Sequence, residues 1–159
     1  MAYIYPAPGV ANVQCSLTLT ASTVAGNLVL PALQDITVNN SNDVFTWTQL
    51  DQGSKLQIAT TATNSLAMNL VLDEQSFFGN SSATTGSAPK LGVFGLSKEK
   101  TLVNFSLYMG DESTGNAGPT ISGSGYVTGL APTVSADAPV WVSPVTITVT
   151  GDYTIASLS

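Results

Sequence analysis

The feature that most restricts how this chain folds is alternation. In "NVQCSLTLT", Val13, Cys15, Leu17 and Leu19 share one parity, and Asn12, Gln14, Ser16 and Thr18 share the other. "TLVNFSLYM" repeats the pattern with Val103, Phe105, Leu107 and Met109. "VWVSPVTITVT" sets Trp141, Val145, Ile147 and Val149 against Thr146, Thr148 and Thr150. Successive side chains of a pleated backbone point to opposite sides, so a period of two marks a strand with one buried face. By the same rule "DVFTWTQL" puts Phe45 and Trp47 together, and "KLQIATT" turns Leu56 and Ile58 inward. "SLAMNLVL" gathers Leu66, Met68, Leu70 and Leu72. The i, i+4 pairs in this last run also fit a helix, but Asn69 and Val71 suit the alternate face of a strand.

Punctuation divides these runs. Gly26-Asn27 and Gln52-Gly53 are turn signals, and 79–89 is a loop rich in Gly, Ser and Thr. Pro31 argues against a central strand, and Pro144 implies a bulge or an edge position. Gly123 and Gly125 loosen "TISGSGYVTGL" and point to a bulge or a close backbone neighbour. "APKLGVFGLSKEK" reads as one short helix, with Ser87 as its cap and Pro89 in its first turn, weakened by Gly92 and Gly95. The sum is seven or eight strands and at most one helix. The expected fold is mainly β, an antiparallel sandwich or barrel-like domain with one short flanking helix. There is no internal repeat, and residues 1–159 read as one domain with an extended N-terminal arm.

Charge is scarce. Only 9% of the residues are charged against 43% hydrophobic, where soluble domains carry about 25% charge. Ser, Thr, Asn and Gln must keep the surface wet, as in extracellular modules and in shells that bury large areas between copies. The net charge is −6, from ten acids, four lysines and no arginine. Without guanidinium forks or a basic stripe, stable nucleic-acid binding is disfavoured. An acidic surface that lets DNA pass remains open. The start, "MAYIYPAPGV", lacks a basic region and a long apolar run, so it does not read as a signal peptide, and the chain reads as cytoplasmic when made. No apolar run approaches the roughly 18 residues that span a bilayer, so no membrane partner is expected.

Reactive chemistry is nearly absent. With no histidine, neither a Ser-His-Asp nor a Cys-His site exists, and histidine or multi-cysteine zinc sites are excluded. Cys15 is the only cysteine and reads as a small buried residue. "SGSGYV" lies within a strand pattern, not between a strand and a helix, so it does not read as a phosphate loop. Asp73-Glu74 and Asp111-Glu112 are adjacent pairs, which do not face one another across a substrate as glycosidase carboxyls must. "DESTGN" has oxygen donors but not the spacing of a calcium loop. No catalytic, metal or cofactor-binding residue is assigned, and no cofactor is expected.

Charge placement says more. Lys90, Lys98 and Lys100 stand against Glu99 for a local net of +2, while the residues before and after them each net −4. These lysines are either solvated on one small element or a patch that meets an acidic surface of the next identical subunit. In the second reading they are candidate inter-subunit contacts.

The order "LQIATTATNSLAMNLVLDEQSFFG", a short helix, "KTLVNFSLYMGD" and "TISGSGYVTGLAPTVSADAPVWVSPVTITVTGDY" resembles the tail tube (major tail) proteins of long-tailed bacteriophages. The likeness covers roughly residues 35–155 and is carried most by a strand closing on "GYVTGL" and a last Thr/Val strand closing on "TGDY". It implies a structural, non-enzymatic virion protein, made and assembled in the host cytoplasm and located in the tail. Hexameric rings would stack into a hollow tube lined by one continuous inner β-barrel. The implied partners are further copies of itself, the tape measure protein, the tail terminator and baseplate or tip proteins, with DNA in transient, non-specific passage. Strands around 101–109, 120–130 and 140–150 become wall candidates. The loop around 50–65 and the termini become ring-to-ring bridges. Asp43, Asp51, Asp111, Asp137 and Asp152 become candidate channel-lining residues, where negative charge would repel phosphate. The alternative is a capsid decoration or carbohydrate-binding β-sandwich module, with Trp47 and Trp141 stacking on sugar. Against it, each tryptophan shares a face with aliphatic neighbours, which favours the core.

Overall fold

A computed structural model describes residues 15–30, 33–51, 53–110 and 118–156. Among them the strands are β1 (Ser16–Ala21), β2 (Asn27–Leu30), β3 (Leu33–Trp47), β4 (Leu56–Val71), β5 (Leu102–Tyr108), β6 (Thr120–Thr128) and β7 (Val142–Ala156). A π-helical turn (Glu74–Phe78) and helix α1 (Ala88–Lys98) lie between β4 and β5. All seven strands form one antiparallel sheet in the order β2-β1-β5-β6-β7-β4-β3. The mainly β, antiparallel expectation with one short helix holds.

The sheet rolls up. Leu30 ends β2 opposite Leu17, and Leu33 begins β3 opposite Leu70. These are the two outermost strands, yet three residue steps join them, a reach of about 11 Å at most. The edges must therefore approach each other, although no ladder closes them among the described residues. Leu30 lies level with Leu17, Leu107 and Ile121, whereas Leu33 lies level with Leu70 and Ser143. The approach is staggered, as tilted barrel-like strands require. Pro31, which argued against a central strand, lies outside the described residues.

The core fills the inside of the roll. Leu17, Leu19, Leu66, Met68, Leu70, Val103, Phe105, Leu107, Val145 and Ile147 are buried on alternate strand positions, as their parity dictates. Phe77 of the π-helical turn and Ala88, Val93 and Leu96 of α1 complete it. Each large aliphatic side chain buried in this way contributes roughly 1.5–3 kcal/mol. The helix begins after Ser87, which is extended, with a proline in its first turn. The Ser87 hydroxyl does not cap it but donates to the Thr84 carbonyl at 2.6 Å. The weakness expected at Gly92 is a kink, with φ 65°.

Both expected irregularities occur. Between Ser122 and Ser124 of β6, β7 runs from Thr154 to Thr150, so β7 bulges at Gly151-Asp152-Tyr153. A Cβ on Gly123 would meet the Phe105 ring at 2.9 Å, so the bulge and the ring fit together only around glycine. Pro144 lies opposite Asn69, where β7 pairs with β4 but has not yet reached β6.

Candidate assembly surfaces

The opposite face of the sheet is polar and almost free of charge. Its residues include Thr18, Thr20, Asn104, Ser124, Thr128, Thr146, Thr148 and Thr150, some of them joined across strands by their own side chains. Ser124 Oγ donates to Asn104 Oδ1 at 2.7 Å, and the hydroxyls of Thr128 and Thr148 lie 3.1 Å apart. Across all seven strands the charged residues are Asp35, Asp43 and Asp152. Every lysine sits off the sheet. Lys55 precedes β4, Lys90 and Lys98 are on α1, and Lys100 follows it.

β3 and β4 extend beyond the sheet as a two-stranded arm. β4 pairs with β7 from Val71 back to Ser65, and there the pairing ends. From Asn39 to Asp43 on β3 and from Leu56 to Thr63 on β4 nearly every side chain is exposed. Phe45 is opposite Ile58 and Trp47 opposite Leu56, so the four share one face of the arm. The rings of Phe45 and Trp47 stack with centroids 5.8 Å apart. Leu56 and Ile58 do not turn into the core as their alternation suggests: Ile58 is 55% exposed and Phe45 59%. Alternation marks an apolar face without saying what covers it. The stretch read as a loop around 50–65 is strand from Leu56 onward.

A hydrogen-bonded clamp fixes the arm's root. The Tyr153 hydroxyl lies 2.8 Å from the Asn39 carbonyl and 2.9 Å from that of Ser65. Asn64, buried beneath, donates from Nδ2 to the Gly151 carbonyl at 3.2 Å. Asp152 Oδ1 accepts the Tyr153 amide at 2.8 Å. Burial raises the Tyr153 phenol above its usual value, and the Asp152 charge acts in the same direction. The phenol therefore stays protonated as a donor.

At the other end of β4 lies an apolar cleft of about 440 Å³, lined by Leu72, Glu74, Phe78, Pro132 and Trp141. The π-helical turn carries one wall. Asp73 caps it, with Oδ2 accepting the Ser76 amide and hydroxyl at 3.0 Å each. These bonds hold the Asp73 carboxyl below its usual value. The rings of Phe77, Phe78 and Phe94 pack together with centroids 5.0–6.2 Å apart. Trp141 is held by its carbonyl, which accepts the Leu72 amide at 2.9 Å, but its side chain is 53% exposed. The expectation that it joins the core fails. Trp141 has the parity of Val145 and Ile147 but lies just outside β7, beyond the part of the sheet that rolls over the core. Trp47 is half-buried against Phe45 on the arm, not in the core.

The sequence-derived site residues are dispersed. Asp43 lies on the arm and accepts from the Thr61 hydroxyl at 3.1 Å. Asp51 is exposed at the arm's tip, and Asp152 is at its root. Asp137 is exposed in the loop between β6 and β7, near the cleft end. Asp111 lies outside the described residues, as does the N-terminal arm expected from the sequence. Lys90 Nζ donates to the Ser81 carbonyl at 2.6 Å and braces the preceding loop. Lys98 and Lys100 are exposed at the end of α1. Cys15 is half-buried against the core, and burial pushes its thiol up. The arm's exposure had a visible signal in the polar run "NNSND", opposite a strand reading "ATTAT", because neither run offers an apolar face to bury. The aromatic cleft had none.

This fold is shared with chains of an anti-feeding prophage, a gene transfer agent particle and an extracellular contractile injection system. A chain of the six-fold symmetrised anti-feeding prophage baseplate matches with a TM-score of 0.63 at 10% identity, covering 96% of this chain and 98% of that one. A chain of the tail of an empty gene transfer agent particle, refined with C6 symmetry, matches with a TM-score of 0.63 at 9% identity, covering 95% and 100%. A chain of the sheath-tube complex of an extracellular contractile injection system matches with a TM-score of 0.57 at 13% identity, covering 97% and 93%. No protein-family model and no curated protein matches the sequence.

Proposed function

We propose that this chain is a structural tail tube subunit that self-assembles into stacked hexameric rings around a channel for DNA. The observation that carries the reading is the charge segregation of the sheet. No strand has a basic residue, so whichever sheet face lines a bore offers phosphate only hydroxyls, amides and a few carboxylates. Two features support self-assembly. The outer edge of β3 is fifteen residues long and unpaired among the described residues, a hazard in a free monomer and a template for joining copies. The arm, clamped at its root but bare along its length, suits a bridge between rings. Six-fold symmetry in the similar baseplate and tail structures supports the ring number. The tape measure protein, tail terminator and baseplate or tip proteins are the partners this reading requires, and the assembled virion tail is its location. The candidate aspartates, and Lys90, Lys98 and Lys100, keep their proposed roles as bore and contact residues. Negative-stain microscopy of the purified protein tests the reading: rings or tubes with a central hole support it. A protein that stays monomeric at high concentration, with and without tail initiators, overturns it.

A decoration or carbohydrate-binding module is the second reading, and the exposed face of Trp141 is what favours it. Glycan binding that Trp141→Ala abolishes without unfolding would support that alternative.

A further inference from the structure

We infer that the aromatic cleft receives the apolar face of the arm of a second copy of this chain, and that this is the contact that stacks one ring on the next. The inference rests on the tube reading and names the receptor site that reading leaves open.

Two apolar surfaces, unpartnered among the described residues, lie at opposite ends of one strand. β4 starts in the arm at Leu56 and ends beside the cleft at Val71. Sixteen residues at about 3.3 Å each put roughly 50 Å between them, so no single copy bends one onto the other. A second copy displaced along the strand direction brings them together. Such a contact is head-to-tail, joining different patches on the two partners, and it repeats without limit along an axis. A tube needs that property of its stacking contact.

The two surfaces also match in chemistry. The arm offers Phe45, Trp47, Leu56 and Ile58, a flat face of two stacked rings and two aliphatic chains. The cleft offers Leu72, Phe78, Pro132 and Trp141. Large rings seated in a desolvated pocket dominate the energy of most interfaces. Charges of both signs flank the arm, in Asp43, Asp51 and Lys55, and the cleft is flanked by Asp73 and Glu74. Lys55, the sheet's nearest lysine, leads into Leu56, and Glu74 lines the cleft. Pairing them fixes the register in which the arm enters.

Cross-linking and microscopy test the pairing together. Lys55→Cys and Glu74→Cys are combined in a Cys15→Ser chain, assembled and treated with a short bis-maleimide. A ladder of trimers and longer products is expected, because each chain carries both halves of the contact. Chains with only one introduced cysteine should stop at dimers. Phe45→Ala and Trp141→Ala, both of exposed residues, should each leave monomer folding intact and permit rings, but cut the number of multi-ring tubes about tenfold or more. Long tubes from Trp141→Ala overturn the inference. So do long tubes that give no ladder, since another segment, such as residues 1–14, would then fill the cleft. A wild-type chain that forms neither rings nor tubes removes the tube reading, and this contact with it.

Discussion

The hydroxyl of Tyr153, on the last strand, lies 2.8 Å from the backbone carbonyl of Asn39, 114 residues earlier, where the arm leaves the sheet. The same hydroxyl reaches the Ser65 carbonyl, and Asn39 and Ser65 are directly paired across β3 and β4. One phenol thus holds both strands of the arm at their root. Tyr153→Phe keeps the ring, which packs edge-on to Phe105, and removes only the donor. The expected cost is about 0.5–1.5 kcal/mol of global stability. The sharper readout is amide exchange, which should quicken in residues 39–47 and 56–64 and stay unchanged in Val103–Leu107. Equal protection of the arm in both proteins would mean that the hydroxyl does not restrain it.

Gly92 breaks α1 because another backbone occupies the space beside it. At φ 65° it adopts a conformation that side chains disfavour, and a Cβ there would lie 2.6 Å from the Phe77 carbonyl oxygen. The Asn80 amide donates to the Pro89 carbonyl at 2.8 Å, tying the loop after the π-helical turn to the first turn of the helix. The kink therefore packs this turn against the helix, with Phe77 buried in the core and Phe78 left exposed on the cleft wall. Gly92→Ala should cost about 2–4 kcal/mol, combining left-handed strain with a backbone clash. Gly95→Ala, in the same helix but meeting only the Leu91 side chain, should cost far less. Urea unfolding of the two variants checks the contrast.

The Asp73 cap makes the cleft wall sensitive to acid. Its carboxyl titrates below its ordinary value because the ionised form accepts the Ser76 amide and hydroxyl. A lowered folded value means that the stabilisation is fully present above the unfolded value, about 3.9. It is lost as pH falls through the lower folded value. The group is almost wholly exposed, so the effect is small. Asp73→Asn should lower the melting temperature at pH 6, and its deficit against wild type should shrink as the pH falls below about 4. A deficit that stays constant over that range would mean that the ionised carboxylate is not the stabilising form.

The core was legible because burial and parity coincide there. Leu17, Leu66, Phe105 and Ile147 each fall on the buried face that alternation assigns. The arm and cleft broke the same rule for a physical reason. Trp141 has the parity of Val145 and Ile147, but the sheet that would cover it has ended. Phe45 has the parity opposite to the core-packed Ile36 and Val38, and the bulge that sets Asn42 opposite Ala62 but Val44 opposite Ala59 turns Ile58 to the same side as Phe45. The Thr/Ser/Asn face was readable as hydrated from composition. Its freedom from basic residues became meaningful once the lysines were located on the helix and turns. The π-helical turn had no periodic signal, since five residues are too few to show one and its cap, Asp73, read as half of a carboxylate pair.

If the polar sheet face lines the bore, a single lysine on it should turn a passive wall into a DNA trap. Thr148 is exposed on β7, opposite Tyr126 of β6, so Thr148→Lys should fold with a change within about 0.5 kcal/mol. Repeated around each ring, the new ammonium groups would form a belt of positive charge where wild type has none. Phosphate binding through such a belt is electrostatic and collapses with salt. Assembled Thr148→Lys tubes should therefore retain labelled double-stranded DNA at low ionic strength and release it as salt rises, while wild-type and Thr148→Ser tubes retain little at any salt. Particles built with the lysine variant should attach normally but deliver their genomes more slowly. Lysine-bearing tubes with wild-type DNA affinity at low salt would place this face of β7 away from the channel.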